Sequence, residues 1–160
     1  MQDLGRLFEP KSVAIVGATT NPNTVTNVTF LRQLLDFGYR GRIYPVNPHA
    51  SEILGLKAYA SIGDIPGPVD YVVCAIAASR TPKLMRECVD AGVKLVSMYT
   101  AGFSETGEEG AKLEIEVMAI AQRGGVRVLG PNCLGLHCPR AGISLVGSIS
   151  RESGHVGLLS

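Results

Sequence analysis

Short apolar runs closed by turn residues alternate along this chain with longer stretches that are apolar on one side only. Ser12 to Gly17 is the first run, and with no polar alternation it reads as a strand buried on both faces of a parallel sheet. Val25 to Phe37 then sets Val28, Leu31, Leu34 and Leu35 at helical spacing, with Gly38 following as a C-terminal cap. Arg42 to Asn47 reads as a second strand, and Pro45 within it predicts a place near a sheet edge, where a missing N–H is tolerated. Gly55 to Tyr59 predicts a short extra strand, and Ser61 to Ile65 a single turn. Val69 to Ile76 and Val93 to Tyr99 repeat the buried-strand pattern, with a helix from Thr81 to Ala91 capped by Gly92 between them. Gly107 to Arg123 carries Leu113, Val117, Ile120 and Ala121 on one stripe, which predicts the longest helix. Gly124 and Gly125 stop it, and Val126 to Leu129 is the fifth strand.

Strands alternating with helices at this spacing predict an α/β fold, a Rossmann-like doubly wound parallel sheet with right-handed crossovers, over residues 1–135. Periodicity fades from Leu136 to Gly154, and His155 to Leu159 then resembles a new strand. That strand is either a C-terminal edge strand or the opening of a following domain. Residues 136–160 are therefore expected to be a tail leading into such a domain.

Composition narrows the class. The chain has 160 residues, 46% hydrophobic and 18% charged, with a formal net charge of +1, which suits one globular domain rather than a disordered chain. Acids and bases are interspersed with no basic stripe, which argues against nucleic acid as a partner. No apolar run approaches the roughly 18 residues that span a bilayer, and the start lacks a signal peptide's basic and apolar regions. A cytoplasmic protein is expected, with Cys74, Cys88, Cys133 and Cys138 as free thiols.

In a sheet of this kind ligands sit beyond the carboxyl ends of the strands, so the loops there carry the chemistry. Gly17-Ala18-Thr19-Thr20-Asn21-Pro22 joins the first strand to the first helix, where backbone N–H groups and the helix dipole favour an anion such as a phosphate. Gly17 permits the tight turn, although the full G-x-G-x-x-G pattern is absent. Thr19, Thr20 and Asn21 either bond a phosphate or cap the helix. Nicotinamide enzymes place an acid after the second strand, where this chain has Asn47-Pro48-His49, which disfavours an oxidoreductase. Arg40, Arg42 and His49 near that strand suit a ligand with a phosphate on its ribose, or are solvated surface residues. Thr100-Ala101-Gly102 allows close approach of a ligand, while Glu105, Glu108 and Glu109 read as structural acids at a helix N-terminus. Gly130-Pro131-Asn132-Cys133-Leu134-Gly135 is richer in special residues than a connection needs. Cys133 has no base placed by sequence to activate it, and Cys133, His137 and Cys138 match no zinc-ligand spacing, so neither catalysis nor a metal is expected there.

Taken together, Val13 to Ala18, Ile43 to Pro48, Ala101 to Glu105 and Gly130 to Gly135 resemble, in order and spacing, the CoA-binding domain of NDP-forming acyl-CoA synthetases. That family includes ADP-forming acetyl-CoA synthetases and is related to the α subunit of succinyl-CoA synthetase; the resemblance covers essentially the whole chain. It implies that Gly17, Ala18, Thr19, Thr20 and Asn21 cradle the phosphates of coenzyme A. It places Asn47 and Pro48 by the nucleotide end, and has Ile76, Ala77, Ala78, Tyr99, Thr100, Ala101 and Gly102 flank the cofactor. Pro131 and Asn132 belong to a loop that in related enzymes opens a helix facing a phosphohistidine. Thr26 stands where the family commonly has Gly. The acyl phosphate, the phosphohistidine and an ATP-grasp domain using ATP or ADP with Mg2+ belong to later sequence absent here. The resemblance therefore implies a chain that binds CoA or acyl-CoA without catalytic residues of its own, partnered by other domains or a subunit of a synthetase, with a homo-oligomer left open. The alternative is a stand-alone CoA- or nucleotide-sensing module.

Overall fold

The computed structural model describes residues 5–19, 25–147 and 149–154, with only the backbone of residues 5, 6 and 25–28. After a short helix α1 (Gly5–Phe8), strands β1 (Ser12–Val16), β2 (Arg42–Val46), β5 (Tyr71–Cys74), β6 (Leu95–Met98) and β7 (Arg127–Leu129) form one parallel sheet in the order β2-β1-β5-β6-β7. Between them run α2 (Val25–Phe37), α3 (Thr81–Asp90) and α4 (Glu108–Gly124). The chain moves outward from β1 to β2 and then returns to β5 on the other side of β1. That reversal opens a crevice between the β1 and β5 loops, where open α/β sheets take their ligands.

Both faces of the sheet are covered, as the continuous apolar strands require. Val13 and Ile15 pack with Phe30, Leu31 and Leu34 of α2, while Ala14 and Val16 pack with residues of α3 and α4 such as Leu84, Met85, Val117 and Ile120. Leu31 and Leu34 are fully buried, each contributing about 1.5–3 kcal/mol of transfer free energy. Leu35 departs from the expected stripe, being 42% exposed. It follows Leu34 and so lies about 100° further around the helix, outside the buried arc.

β2 is an edge strand, as Pro45 implied. The Pro45 carbonyl accepts from the Tyr59 N–H at 3.0 Å, and the Tyr59 carbonyl accepts from the Asn47 N–H at 2.9 Å. Since the N and O of one strand residue point the same way, the missing N–H of Pro45 faces away from β1 and costs no ladder bond. The short extra strand expected within Gly55 to Tyr59 is β4 (Leu56–Lys57), and it pairs with β3 (Glu52–Ile53) in a small hairpin. Its turn is Leu54-Gly55, both at positive φ, as a two-residue hairpin of the primed type demands. A single 3-10 turn at Ile62–Asp64 falls where a turn was expected.

α4 begins with Glu108 and Glu109 and carries Arg123 in its last turn, matching charge to the helix dipole. Gly125 closes it at φ +70. Beyond β7, part of the aperiodic tail folds into a hairpin of β8 (His137–Cys138) and β9 (Ile143–Ser144). Leu136, Ile143 and Leu145 from this segment are buried in the α2-side core. Gly135, at φ +85, starts the turn into it, and a Cβ there would lie 2.8 Å from the Tyr71 hydroxyl. That hydroxyl is bonded to Ser97 Oγ beneath the turn. Among the described residues no helix is long and apolar enough to cross a membrane.

Candidate functional site

Parallel pairing puts the ends of all five sheet strands on one edge, and the loops there are joined into a continuous rim. At the end of β1 the Gly17 N–H donates to the Val46 carbonyl at 3.1 Å. Gly17 has φ +94, and a Cβ on it would lie 2.4 Å from the Ala75 carbonyl oxygen and 3.0 Å from Ile76 Cγ2. Only glycine lets the β1 and β5 loops close to this distance. From β2, the Asn47 side-chain amide donates to the Ala18 carbonyl at 2.8 Å, while its oxygen accepts the His49 N–H at 2.8 Å. Asn47 is thus held at both ends of its amide by the rim itself, with Pro48 exposed beside it.

The β5 and β6 loops are tied by Thr100, which is buried and whose hydroxyl donates to the Ile76 carbonyl at 2.8 Å. Gly102 sits at φ +106, its missing Cβ only 3.2 Å from that of Ala78. Tyr99 turns toward α2 and meets Phe30 edge-on, ring centres 5.0 Å apart. At the end of β7 the Asn132 N–H donates to the Thr100 carbonyl at 3.1 Å and the Cys133 N–H to the Met98 carbonyl at 3.1 Å. The rim therefore runs unbroken from Asn47 through Ala18, Gly17, Ile76 and Thr100 to Asn132.

Glu105 has a role here that the sequence reading missed. Its carboxylate accepts the Gly102 N–H at 2.6 Å and the Phe103 N–H at 3.1 Å, clamping the loop at its left-handed residue. The Gly102 bond first, then backbone N–H groups of Glu105 and Phe103, hold this exposed carboxyl below its ordinary value. The only sequence signal was an acid three residues after a loop glycine. Because the folded-state value is lowered, the clamp is complete above the ordinary glutamate range and is lost as pH falls through the folded value. Glu105→Gln is thus expected to melt below the wild type at about pH 7, with the gap narrowing as the pH falls below the ordinary glutamate range; a gap that does not change with pH would refute the clamp.

The structure brings together Gly17, Ala18, Thr19, Asn47, Pro48, Ile76, Ala77, Ala78, Tyr99, Thr100, Ala101, Gly102, Pro131 and Asn132 on these strand-end loops. Thr20 and Asn21 lie outside the described residues, as does His155. Two expectations are corrected. Arg40 and Arg42 sit at the start of β2, at the opposite end of the sheet from the rim, leaving only His49 beside it. The Gly130–Gly135 loop opens no helix, since Gly130, Asn132 and Gly135 all have positive φ, which cannot propagate a right-handed helix; its Gly130–Pro131 bond is cis.

The four cysteines are free thiols. Burial pushes the Cys74 and Cys88 thiols up, away from the reactive thiolate. Cys133 is half-buried, its thiol donating to the Leu129 carbonyl at 3.2 Å. Among the described residues no group of three or more His, Cys, Asp or Glu side chains could hold a metal ion. Cavities of about 430 and 400 Å3 lie at the opposite end of the sheet.

A profile of the family described as CoA binding domain matches residues 11–139. The chain is 46% identical over 136 residues to the ADP-forming acetate-CoA ligase II of Archaeoglobus fulgidus, covering 84% of this chain and 20% of that protein. It is 40% identical over 137 residues to the α subunit of the ADP-forming acetate-CoA ligase I of Pyrococcus furiosus, covering 83% and 29%. Among solved structures it is similar to the dinucleotide-forming acetyl-coenzyme A synthetase 1 of Ca. Korarchaeum cryptofilum in complex with phosphate and ADP. That match has a TM-score of 0.84 and 39% identity, covering 89% of this chain and 30% of that one. The chain thus spans less than a third of the length of each of these relatives.

Proposed function

Because the chain belongs to the family of CoA-binding domains, we propose that its rim holds coenzyme A and that it serves as the CoA-binding domain of an ADP-forming acyl-CoA ligase. The observation that carries this reading is the Gly17 turn. A side chain there would fill the crevice between the β1 and β5 loops down to 2.4 Å from the Ala75 carbonyl. Gly102 leaves a second such gap beside Ala78. A cradle of glycine turns and small side chains at the end of a parallel strand, followed by the 13-residue helix α2, suits a phosphate group.

In this reading the backbone of Gly17, Ala18 and Thr19, with Thr20 and Asn21, receives the phosphates. Asn47 and Pro48 lie by the nucleotide end. Ile76, Ala77 and Ala78 on one side and Tyr99, Thr100, Ala101 and Gly102 on the other line the way toward Pro131 and Asn132. Coenzyme A, when bound, supplies the thiol that accepts an acyl group. The task of this chain is to hold and aim it. Acyl phosphate formation, the phosphohistidine and the use of ATP or ADP with Mg2+ fall to other domains or a subunit, into which residues 136–160 lead. The chain by itself then binds without turnover and works in the cytoplasm, without nucleic acid.

Titration of the chain with CoA and with NADH in a calorimeter tests this. Saturable heat with CoA at one site and none with NADH is expected. Heat with NADH and no response to CoA overturns the reading.

A further inference from the structure

Arg40 and Arg42, displaced from the rim, gather with other cations at the far end of the sheet. There a cavity of about 430 Å3 is lined by Lys11, Arg40, Arg42 and Arg140, with Glu9 and Gly41. We propose that this cavity binds a compact polyanion through phosphate or carboxylate oxygens, at a site separate from the coenzyme A rim.

The charge is concentrated well beyond the chain average. The whole sequence is nearly neutral, at +1, yet four cations here face one lining carboxylate. That carboxylate, Glu9, is taken by Arg140. Lys11, Arg40 and Arg42 make no ion pair among the described residues. The nearby Asp70 is engaged by backbone and hydroxyl donors, accepting the Lys11 N–H at 2.8 Å and the Ser12 hydroxyl at 3.4 Å.

The floor beneath these cations is held in place. The Tyr39 hydroxyl, in a buried bond, donates to the Pro10 carbonyl at 2.7 Å, and the Arg42 N–H to the Lys11 carbonyl at 3.0 Å. The two segments approach so closely that a Cβ at Gly41 would lie 2.1 Å from the Tyr39 hydroxyl and 2.6 Å from the Lys11 carbonyl. The concavity therefore belongs to a pinned backbone, with the exposed residues Lys11, Arg40, Arg42 and Arg140 around it; the Arg42 guanidinium lies at its margin, toward Gly67. Guanidinium groups match the paired oxygens of phosphate and carboxylate, and the volume lies in the range of small-ligand sites. β1 separates this end from Gly17 by five residues, roughly 16 Å at the usual strand rise, so one compact anion cannot occupy both.

The test uses the full chain with CoA present in excess, titrated with tripolyphosphate and, separately, with citrate, while backbone amides are followed by NMR. Saturable binding is expected that shifts the amides of Lys11, Gly41 and Arg42 and leaves those of Gly17 and Ala18 in place. A response to tripolyphosphate alone assigns phosphate, to citrate alone carboxylate, and to both the shared chemistry. Arg40→Ala with Arg42→Ala, both exposed side chains, is expected to weaken this binding about tenfold or more without altering CoA affinity or the melting temperature. Absence of saturable binding by either anion, shifts at Gly17 instead, or an unchanged affinity in the double variant overturns the proposal. Loss of CoA binding alone would not.

Discussion

Gly17→Val is expected to abolish measurable CoA binding and to lower the melting temperature by about 5–15 °C. Two costs combine. At φ +94 an L-residue sits in left-handed backbone, at about 1–2 kcal/mol. Its Cβ also arrives 2.4 Å from the Ala75 oxygen and 3.0 Å from the Ala75 carbonyl carbon. Those are backbone atoms that cannot swing aside, and overpacking of this kind costs about 1–3 kcal/mol more. Relief requires the β1 and β5 loops to part, which spoils the crevice in which the phosphates are proposed to sit. Gly63→Ala serves as the control, since its nearest neighbour would be Ser61 Oγ at 3.7 Å; its binding and melting should match the wild type. Calorimetry and thermal melts check both variants. Undiminished CoA affinity in Gly17→Val would remove the rim as the binding site.

Gly110→Ala is expected to reverse the usual sign of a glycine-to-alanine change in a helix. In an open helix interior alanine stabilises by about 1 kcal/mol. Gly110 lies in the first turn of α4 and is buried there. A Cβ would sit 1.9 Å from the Phe103 carbonyl oxygen and 2.3 Å from Thr106 Oγ1. Phe103 is itself fully buried, so it cannot retreat outward, and the net effect is destabilisation by about 1–3 kcal/mol. The Phe103 N–H is also among those held by the Glu105 carboxylate. Displacing it moves the loop carrying Gly102, so a partial loss of CoA affinity should accompany the lower melting temperature. A variant more stable than the wild type would show that the turn before α4 yields where the close packing says it does not.

What a one-dimensional reading recovers here follows from the range of the cause. The span of α2 and the five sheet strands were legible because periodicity and buried-strand composition are local signals. Gly17 and Gly102 were legible as turn residues at strand ends. Gly41 and Gly110 were not, and Gly124 was read only as a helix stop although α4 runs through it, because the contacts that forbid a side chain come through the fold. At Gly124, for instance, a Cβ would meet Val89 Cγ2 of α3 at 2.2 Å. The β8–β9 hairpin escaped notice because its strands have two residues each, below any periodic window. For Arg40 and Arg42 the sequence left a ribose phosphate and plain solvent as equal readings, because they are near β2 in sequence, whereas which end of a strand a residue occupies decides what it can touch. Glu105 was read as a helix-terminus acid, and its partners prove to be the loop before that helix.

The pairing of Tyr59 with Pro45 and Asn47 also bears on how this sheet can associate. With the forward half of β2 already engaged on its outer side, a foreign strand docking there would have to displace Tyr59 and would meet a proline with no hydrogen to offer. β7 is short and carries an exposed charge at its start, Arg127, the kind of margin that discourages lateral growth. Both borders of the sheet are thereby poor templates for another chain, and the open, glycine-rich ends of its strands can stay exposed for a ligand without inviting aggregation.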